Sequence, residues 1–537
     1  MRKDCLSGNQ KRSALGAGRI LFASLASLSF SSGYQDSRLK KFFSRNGTVI
    51  LGFIFILSLI VLFAVGLSQN RKTSENFKYG IVFDAGSSHT TMYIYKWSAE
   101  KVNDTGLVYE IEACKVKGPG ISTYATKLQE LPIYLTQCMG RAKELIPKYK
   151  HQETPIYLGA TAGMRLLSLE DAKLANKILS AVTSLLSSYP FNFRGARIIS
   201  GSEEGAYGWI TINYLLGILK EKQYSKDPSL EKNESQETYG ALDLGGASTQ
   251  ITFVPKTVTK NTASKLMKFR LYGKNYSVFT HSYLCYGMDQ ALLRKLAKDS
   301  KNAVLEAYME PCFHPGYERT VDLHEIYNTT CAWTFKVWLP FNKIRIQGSG
   351  NFEKCLQSIN ELFSISYCRY TSCAFNSVSR PSVHGKFGAF SAYYYVMEFL
   401  NLTSDKVSSR DMVNEKMRTF CSTPWEVVNT TFIGVKEKYL SEYCFAGSYI
   451  LKLLEYYNFT DYWNHIEFMD KINNNAEAGW TLGYMLNLTN IIPAELPPPK
   501  PFSRPTYISL MVVFSLVLAA VFILGSVLFH KSWYFWN

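Results

Sequence analysis

The sequence lacks the motifs of several common classes of nucleotide-binding and metal-dependent enzymes. It contains no Gly-x-x-x-x-Gly-Lys-Ser/Thr segment, no Gly-x-Gly-x-x-Gly segment and no His-Glu-x-x-His segment. The first absence excludes the P-loop route to phosphate binding, and the others leave no dinucleotide or zinc-protease signature. Histidine is scarce, and the spacing of His281, His314, His324 and His384 is not that of metal ligands. We interpret these histidines as surface or structural residues.

Two apolar runs are too long for soluble loops. Residues 48–67 and 506–529 carry no charged side chain, and each can cross the roughly 30 Å hydrocarbon layer as a helix. Buried core helices are the alternative. A cleaved signal peptide does not fit the first run, because the run exceeds a usual h-region and no small-residue cleavage site follows. Gly52, Ser58 and Gly66 are small residues through which the spans could pack together or with other copies in a homo-oligomer.

Positive charge is concentrated at the N-terminus. Residues 1–45 hold nine Lys or Arg and only two acidic residues, against 59 basic and 43 acidic residues in the whole chain. A basic segment beside a membrane span stays in the cytoplasm and is attracted to anionic membrane lipid. We therefore expect membrane contact and no nucleic-acid partner. Both termini are then cytoplasmic, and residues 68–505 lie outside the plasma membrane.

Cysteines support an extracellular placement of the central segment. Ten of the eleven cysteines lie between Cys114 and Cys444, and this even number fits five disulfides in an oxidising compartment. Neighbouring positions suggest three pairs, namely Cys114–Cys138, Cys368–Cys373 and Cys421–Cys444. The other four, Cys285, Cys312, Cys331 and Cys355, can pair in three ways, of which we adopt Cys285–Cys331 with Cys312–Cys355. Cys5 is left over in the basic tail.

Glycosylation sequons point the same way. Eight Asn-x-Ser/Thr sequences occur in the central segment. They start at Asn103, Asn233, Asn275, Asn328, Asn401, Asn429, Asn458 and Asn487.

Two short segments are similar to each other and carry the most specific signal in the chain. They are Asp84-Ala-Gly-Ser-Ser-His-Thr90 and Asp243-Leu-Gly-Gly-Ala-Ser-Thr249. Each follows an apolar strand-like run and precedes a second strand-like run. A glycine in such a turn lets the backbone approach a ligand, and successive amides form an anion-binding nest. A single copy would be read as an ordinary hairpin turn, but two copies predict two similar lobes that face each other across a polyphosphate.

The aspartate of each segment cannot contact phosphate directly, because like charges repel. We expect Asp84 and Asp243 to hold a hydrated divalent cation instead. Between the two segments lies Gly201-Ser-Glu-Glu-Gly205, where a carboxylate could serve as general base for water. A solvated helix start is the alternative for this segment. Arg165 could contact phosphate or form a structural ion pair.

The alternation of strand and helix patterns predicts an α/β fold with mainly parallel sheets. We predict a helix over the aromatic run 387–400. The expected organisation runs from the basic tail, 1–47, through the first span, 48–67, to lobe I, 68–210, which is completed by about 460–492. Lobe II, 211–459, is rich in disulfides. A proline-rich stalk, 493–505, leads to the second span, 506–529, and to a short tail, 530–537.

Five segments together make the chain similar to the ecto-nucleoside triphosphate diphosphohydrolases, or ectoapyrases. They are Asp84–Thr90, Gly159–Arg165, Glu203–Trp209, Ala241–Gln250 and Ala478–Leu486. Their order and spacing, the two spans and the ten outer cysteines fit that family over residues 48–537. The resemblance implies two RNase H-like lobes, as in actin, hexokinase and Hsp70. It also implies Ca²⁺- or Mg²⁺-dependent hydrolysis of ATP and ADP to the monophosphate, without a phosphoenzyme.

The resemblance assigns roles to individual residues. Glu204 is the implied base, and Thr161, Ser248 and Gln250 help to place the attacking water. The implied phosphate contacts are Ser87, Ser88, His89, Gly246, Ala247 and Ser248, and the aromatic run supplies Phe387, Phe390, Tyr393 and Tyr394 as candidates for base stacking. A core helix is the alternative for that run. Two other functions stay open, a nucleotide-binding receptor or adhesion protein with incidental turnover and a sugar kinase on the same fold.

Overall fold

The computed structural model describes residues 36–70, 77–101, 104–219, 237–303, 306–363, 374–403, 409–459, 465–472, 476–492 and 501–534. Most of the basic tail, the first part of the proline-rich stalk, Asn103, Asn233 and the Cys368–Cys373 pair lie outside these residues. The chain divides into two compact units. One comprises Met1–Ser74 with Pro498–Asn537, and the other comprises Glu75–Pro497.

Strands and helices alternate along the larger unit. The strands are β1 (Phe77–Ala85), β2 (Thr90–Ser98), β3 (Val108–Lys115), β4 (Pro155–Ala160), β5 (Asn192–Ile198), β6 (Gly240–Leu244), β7 (Ser248–Phe253), β8 (Leu266–Leu271), β9 (Lys274–Leu284), β10 (Ala307–Glu310), β11 (Glu318–Asp322), β12 (Lys343–Gly348), β13 (Phe387–Ser391), β14 (Ile466–Phe468), β15 (Lys471–Ile472) and β16 (Ala476–Glu477). The α-helices of the described residues are α1 (Asp36–Asn70), α2 (Leu131–Leu145), α3 (Ala162–Glu170), α4 (Ala172–Ser187), α5 (Gly201–Leu215), α6 (Lys260–Ala263), α7 (Met288–Asp299), α8 (Leu323–Tyr327), α9 (Phe352–Asn360), α10 (Ala392–Phe399), α11 (Arg410–Ser422), α12 (Trp425–Thr431), α13 (Glu437–Tyr456), α14 (Trp480–Thr489) and α15 (Arg504–Tyr534).

Two sheets of related topology form the two lobes. The first has the order β3-β2-β1-β4-β5, and the second has the order β14-β13-β6-β7-β9-β8. In both sheets an antiparallel hairpin carries an aspartate at its turn, β1–β2 in one and β6–β7 in the other. A parallel strand lies on the other side of each aspartate strand, β4 beside β1 and β13 beside β6. The expected α/β fold with two similar lobes is confirmed, but the sheets are mixed rather than mainly parallel.

The aromatic run 387–400 is divided between two elements. Phe387–Ser391 forms the central strand β13, and only Ala392–Phe399 is helical. The predicted single helix is therefore wrong. A run that is buried on all sides loses the periodicity that distinguishes strand from helix. Residues 460–492, which were expected to complete lobe I, are divided between the two sheets. Strand β14 pairs with β13 in the second sheet, whereas α14 packs on the first.

Two helices, α5 and α14, each pack on the sheet of the lobe opposite to the one that precedes them in the chain. Helix α5 follows β5 of the first sheet but packs on β6, β7 and β9 of the second, whereas α14 packs on β1, β2 and β3 of the first. The two helices cross in close contact, and the Gly483 amide donates to the Thr211 hydroxyl at 2.8 Å. A Cβ at Gly483 would overlap the carbonyl oxygen of Tyr207, so only glycine permits this approach. The crossing joins the lobes through a buried core around Trp209.

Disulfides staple both lobes. The structure joins Cys114 to Cys138, Cys285 to Cys331, Cys312 to Cys355 and Cys421 to Cys444. These are four of the five expected pairs, and the first closes lobe I while the others lie in lobe II. Of the six sequon asparagines that the structure describes, Asn487 is half-buried and the others, Asn275, Asn328, Asn401, Asn429 and Asn458, are exposed.

The smaller unit contains two long apolar helices that pack against each other. Helices α1 and α15 include candidate spans at Asn46–Asn70 and Arg504–Val527. Ser58 and Val65 are buried where the helices meet, whereas a Cβ at Gly52 or Gly66 would contact nothing. At one end the Gln69 amide donates to the carbonyl oxygen of Phe502 at 3.1 Å. By length and composition each helix could cross a membrane.

Candidate active site

The first aspartate turn lies at the end of β1. Asp84 pairs with Thr91 across the hairpin and with Gly159 of β4 on the other side. Its Oδ1 is buried and accepts no hydrogen bond from the residues that the structure describes. A Cβ at Gly120 would overlap the carbonyl oxygen of Ser87, so a neighbouring loop packs directly against the turn. The turn is thus a rigid element with an unsatisfied carboxylate oxygen, which is costly without a ligand.

The second turn is fixed by hydrogen bonds from the segment that follows β9. Its carbonyl oxygens at Gly245, Gly246 and Ala247 accept from the amides of Met288, Gln290 and Cys285, respectively. The Thr249 hydroxyl donates to the carbonyl oxygen of Asp243 at 2.7 Å. The Cys285–Cys331 disulfide anchors this supporting segment. The segment after β9 therefore supports the second turn, so the shape of the turn does not depend on the β6–β7 hairpin alone.

The two turns face each other at short range. A Cβ placed on Gly246 would lie 2.8 Å from the Ser87 hydroxyl of the opposite turn. Arg165, from α3 of the first lobe, donates to the Ser248 hydroxyl of the second at 3.0 Å. The repeated sequence motif thus produces one cleft with a turn on either side.

Adjacent glutamates at the start of α5 take different positions. Glu203 forms a capping box with Ser200 and an ion pair with Arg197 at 2.8 Å, so it stabilises the helix N-terminus. Glu204 is 8% exposed and points to the cleft, where its Oε2 accepts from Arg165 at 2.8 Å and from Gln250 at 3.1 Å. Because the cap is already supplied by Glu203, Glu204 is free for another role.

Gln250 connects the carboxylate to the second turn. Its Nε2 lies 2.8 Å from the Ser248 hydroxyl and 3.0 Å from the Ser282 hydroxyl, in addition to its contact with Glu204. Thr161 is buried on the first lobe, and its amide donates to the carbonyl oxygen of Ala85. The structure therefore brings Ser248 and Gln250 to Glu204 directly and places Thr161 beside the first turn.

Three carboxylates share this cleft and repel one another. Burial, followed by the nearby charge of Glu204, raises the pKa of Asp84 to about 8. The same two causes raise the pKa of Asp243 to about 7, although Ser391 and Arg165 act in the opposite direction. Arg165 acts on both aspartates but is ion-paired with Glu204, so it compensates their charge only in part.

A hydrated divalent cation fits this arrangement. Asp84 offers an unpartnered buried oxygen, and Asp84, Asp243 and Glu204 lie close enough to interact electrostatically. The described residues include no group of three or more His, Cys, Asp or Glu that could form a direct metal cage. The carboxylates can therefore supply the charge while water supplies the remaining ligands.

The other implied ligand contacts are distributed unevenly. Ser88 and His89 are exposed beyond the first turn, and the Ser88 hydroxyl lies 2.9 Å from His89 Nδ1. Phe387, Phe390 and Tyr393 are fully buried in the core, so they could not stack on a base without leaving it. Tyr394 is half-buried in α10.

Tyr395 also lies in α10, and its ring is exposed. It was not among the residues proposed for base stacking. It is 55% exposed, and its hydroxyl donates to Asp470 Oδ1 at 2.7 Å. The strand-to-helix change at Ser391 explains the difference, because it rotates the preceding aromatic residues into the sheet.

Arg165, for which the sequence left a phosphate contact and a structural ion pair open, makes an ion pair with Glu204. Two further residues, to which the sequence assigned no role, enter the site. Ser282 reaches the site from β9, and Trp480 packs its ring over Gly159 beside Asp84. Trp480 lies in the recognised segment 478–486, but only the fold shows what it contacts. Nothing local in the sequence marks Ser282.

Gly287 gives a direct test of the supporting segment. A Cβ at this position would overlap the backbone nitrogens of Ala247 and Ser248, so Gly287→Ala must displace the second turn. We expect a loss of activity of about 100-fold, because small misplacements of binding groups cost that much. The measurement is phosphate release from nucleotide by the purified chain. Gly140→Ala in α2 is the control, since a methyl there contacts nothing and activity should be unchanged. Equal activity of both variants would contradict the supporting role of Gly287.

Comparison with known proteins gives consistent relatives. Residues 70–501 match the GDA1/CD39 (nucleoside phosphatase) family. The chain is 56% identical over 505 residues to ectonucleoside triphosphate diphosphohydrolase 1 of Mus musculus, covering 94% of this chain and 99% of the relative. It is 43% identical to ectonucleoside triphosphate diphosphohydrolase 8 of Homo sapiens, covering 89% and 95%. Among solved structures, nucleoside triphosphate hydrolases from Neospora caninum share the fold, with a TM-score of 0.58 and 15% identity over 78% of this chain and 93% of theirs.

Proposed function

This chain belongs to the GDA1/CD39 nucleoside phosphatase family, and on that basis we propose that it hydrolyses nucleoside tri- and diphosphates to the monophosphate. The observation that carries the proposal is the position of Glu204. Its carboxylate lies in the cleft between two aspartate turns, held by Arg165 and Gln250. A receptor with incidental turnover would have no need for this arrangement.

Glu204 acts as the general base for water. Arg165 and Gln250 donate to its Oε2, which fixes the carboxylate plane and leaves Oε1 without a donor from the described residues. Oε1 can then accept the proton of a water molecule that attacks the terminal phosphorus in line with the leaving oxygen. The water oxygen bonds to phosphorus, the bridging P–O bond breaks, and the shortened nucleotide leaves. A second cycle on the diphosphate gives the monophosphate.

The two turns hold the phosphates. Gly246 and Ala247 form a small, rigid surface opposite Ser87, and the backbone of such turns accommodates anions closely. Ser248 receives hydrogen bonds from Arg165 and Gln250, so its hydroxyl position is fixed relative to the base. Ser88 and His89 extend the first turn toward solvent. Among the base-stacking candidates only Tyr394 keeps an accessible position, and the neighbouring Tyr395 joins it.

Asp84 and Asp243 are the residues that would hold a divalent cation, through water. A bound Ca²⁺ or Mg²⁺ supplies positive charge that neutralises the phosphate oxygens. The buried Oδ1 of Asp84, which has no hydrogen-bond partner among the described residues, and the raised pKa values of both aspartates support a cation at this site.

Removing one of these carboxylates should weaken the binding of the cation. We expect Asp84→Asn to raise the half-saturating Ca²⁺ concentration by about 10- to 100-fold, as for other groups that hold a metal indirectly. The measurement is phosphate release across a Ca²⁺ titration, and chelation should silence the native protein. Asp171→Asn is the matched control, because Asp171 only caps α4 and asparagine also caps helices. An unaltered Ca²⁺ profile in Asp84→Asn would remove Asp84 from the metal site.

We propose that the hydrolase faces the outside of the cell. The two apolar helices fit a two-pass membrane protein. The basic N-terminal segment supports a cytoplasmic placement of both termini. Disulfides and exposed sequons in the catalytic unit support its extracellular placement. The decisive experiment is phosphate release from ATP and ADP added to intact cells without any acceptor. Activity that appears only after permeabilisation would overturn the orientation, and no release at all would overturn the activity.

A further inference from the structure

Arg380 is a buried cation with no carboxylate partner among the described residues. Only 2% of its surface is exposed, yet its Nε and Nη1 make no hydrogen bond with the residues that the structure describes. No carboxylate of the described residues forms an ion pair with it. A buried and uncompensated charge is among the costliest features a fold can contain, so a native chain that keeps one needs a compensating group.

The hydroxyls around Arg380 are also unsatisfied. Tyr283 and Tyr457 interact electrostatically with the guanidinium, and their hydroxyls, like that of Tyr393, are buried without a partner in the described structure. Burial raises the pKa of Tyr283 and of Tyr457, so both phenols remain protonated donors. Among the described residues, the groups around Arg380 are therefore N–H and O–H donors, and no carboxylate interacts with the guanidinium.

The fold holds these groups in place. The ring of Tyr283 stacks on Phe375 at a centroid distance of 4.0 Å and lies 5.9 Å from the ring of Tyr457. Just before Arg380 the backbone passes through two left-handed residues, Asn376 and Ser377, with φ of 57° and 56°. Such conformations persist only where surrounding contacts enforce them. Here the Tyr286 hydroxyl donates to Asn376 Oδ1 at 2.9 Å.

A second positive charge reinforces the first. Lys265 donates to the carbonyl oxygen of Ser379, the residue before Arg380, at 3.1 Å. In the described part of the chain, Lys265 has no carboxylate partner either. Water could satisfy the hydroxyls, but it would leave the buried guanidinium of Arg380 without a compensating charge.

We propose that Arg380, Tyr283 and Tyr457 form a buried binding site for a small monovalent anion of the chloride class. The anion supplies the missing negative charge and accepts hydrogen bonds from the guanidinium and the phenols. The site is separate from the phosphate cleft and is built within the second lobe.

The proposed site adjoins the second aspartate turn. The hydroxyls of Tyr393 and Tyr457 lie beside Thr249, whose own hydroxyl holds the carbonyl oxygen of Asp243. Filling the site therefore stabilises the lobe next to the turn that carries Asp243.

The test is the thermal unfolding of the full chain in detergent micelles at constant ionic strength, with sodium gluconate replaced stepwise by sodium chloride. Ligand that binds only the folded state raises the midpoint. We expect the midpoint to rise with chloride and then to saturate. Arg380→Met should abolish the rise. Arg345→Met, at an exposed position, should retain it.

Two further measurements keep the test decisive if Arg380→Met does not fold. Tyr457→Phe retains the ring and removes one donor, so it should need more chloride for half of the rise. Bromide in crystals of the native chain should give an anomalous peak beside the Arg380 guanidinium. A midpoint that does not respond to chloride would overturn the proposal. So would a response that is equal in the native chain, Arg380→Met and Tyr457→Phe, or water alone at the site.

Discussion

Glu204→Gln should reduce ATP and ADP hydrolysis by about 10³-fold or more while nucleotide still binds. A positioned general base contributes about 10²- to 10⁴-fold, and glutamine keeps the shape of glutamate but cannot accept the proton. Glu204 is also the residue that Arg165 and Gln250 both contact, so its loss removes the centre of the hydrogen-bond network. The measurements are single-turnover phosphate release and equilibrium binding of nucleotide to the variant.

The neighbouring glutamate provides the matched control. Glu203→Gln removes a carboxylate one position away, but that carboxylate caps α5 and pairs with Arg197. Because glutamine at this position keeps the capping-box acceptor, the variant loses mainly the partly exposed ion pair with Arg197. We expect it to lower stability by about 1 kcal/mol or less and to leave turnover nearly intact. If Glu203→Gln lost as much activity as Glu204→Gln, the assignment of the base to Glu204 would fail.

Lys295→Met should destabilise the second lobe by about 3–5 kcal/mol. Lys295 and Glu310 are both completely buried and ion-paired, and Lys295 also donates to Asp299 at 3.0 Å. The Cys312 amide is a further donor to Glu310. Methionine fills the volume of the lysine stem but leaves Glu310 as a buried charge with one donor, and breaking a buried pair costs this much. The shift would be measured by thermal or denaturant unfolding of the purified chain.

A surface pair and a double variant give this prediction its controls. Lys386→Met breaks an ion pair with Glu467 in which the lysine is 55% exposed, and such pairs are worth about 1 kcal/mol or less. Adding Glu310→Met to Lys295→Met removes the buried carboxylate that has lost its partner, so the double variant should recover part of the stability. A loss in Lys295→Met no greater than in Lys386→Met would show that the buried pair does not stabilise the lobe.

The sequence predicted the elements whose chemistry is repeated or local. The two aspartate turns were recognisable because residue types recur in the same order, and the structure does place them opposite each other. Glu204 could be narrowed to a pair of glutamates, but separating it from Glu203 needed the capping box and the Arg197 pair. Adjacent identical side chains point in different directions on a helix, and only the packing of α5 shows which one faces the cleft.

The other residues of the candidate active site could not be predicted, because their positions depend on contacts between segments that are distant in the sequence. Ser282 and Gly287 reach the second turn from β9 and the loop after it, through pairing that no short motif records. The sequence of 387–391 does not show that this run is a strand, because burial on all sides hides the alternation of a strand. The alternation of strand and helix patterns predicts mainly parallel sheets, and beyond the two aspartate turns no short pattern marks the antiparallel pairs β2–β3, β7–β9 and β8–β9.

Because α5 packs on the second sheet and α14 on the first, the distances between residues of the candidate active site depend on the angle between the two lobes. Glu204 lies on a helix that rests on the second sheet, and Trp480 lies on a helix that rests on the first, beside Asp84. If the lobes rotate about the Gly483 crossing, Glu204 travels with Gln250 but changes its separation from Asp84. With Glu204 as the proposed base and Asp84 as a proposed cation ligand, the distance between these two carboxylates therefore depends on the relative orientation of the lobes.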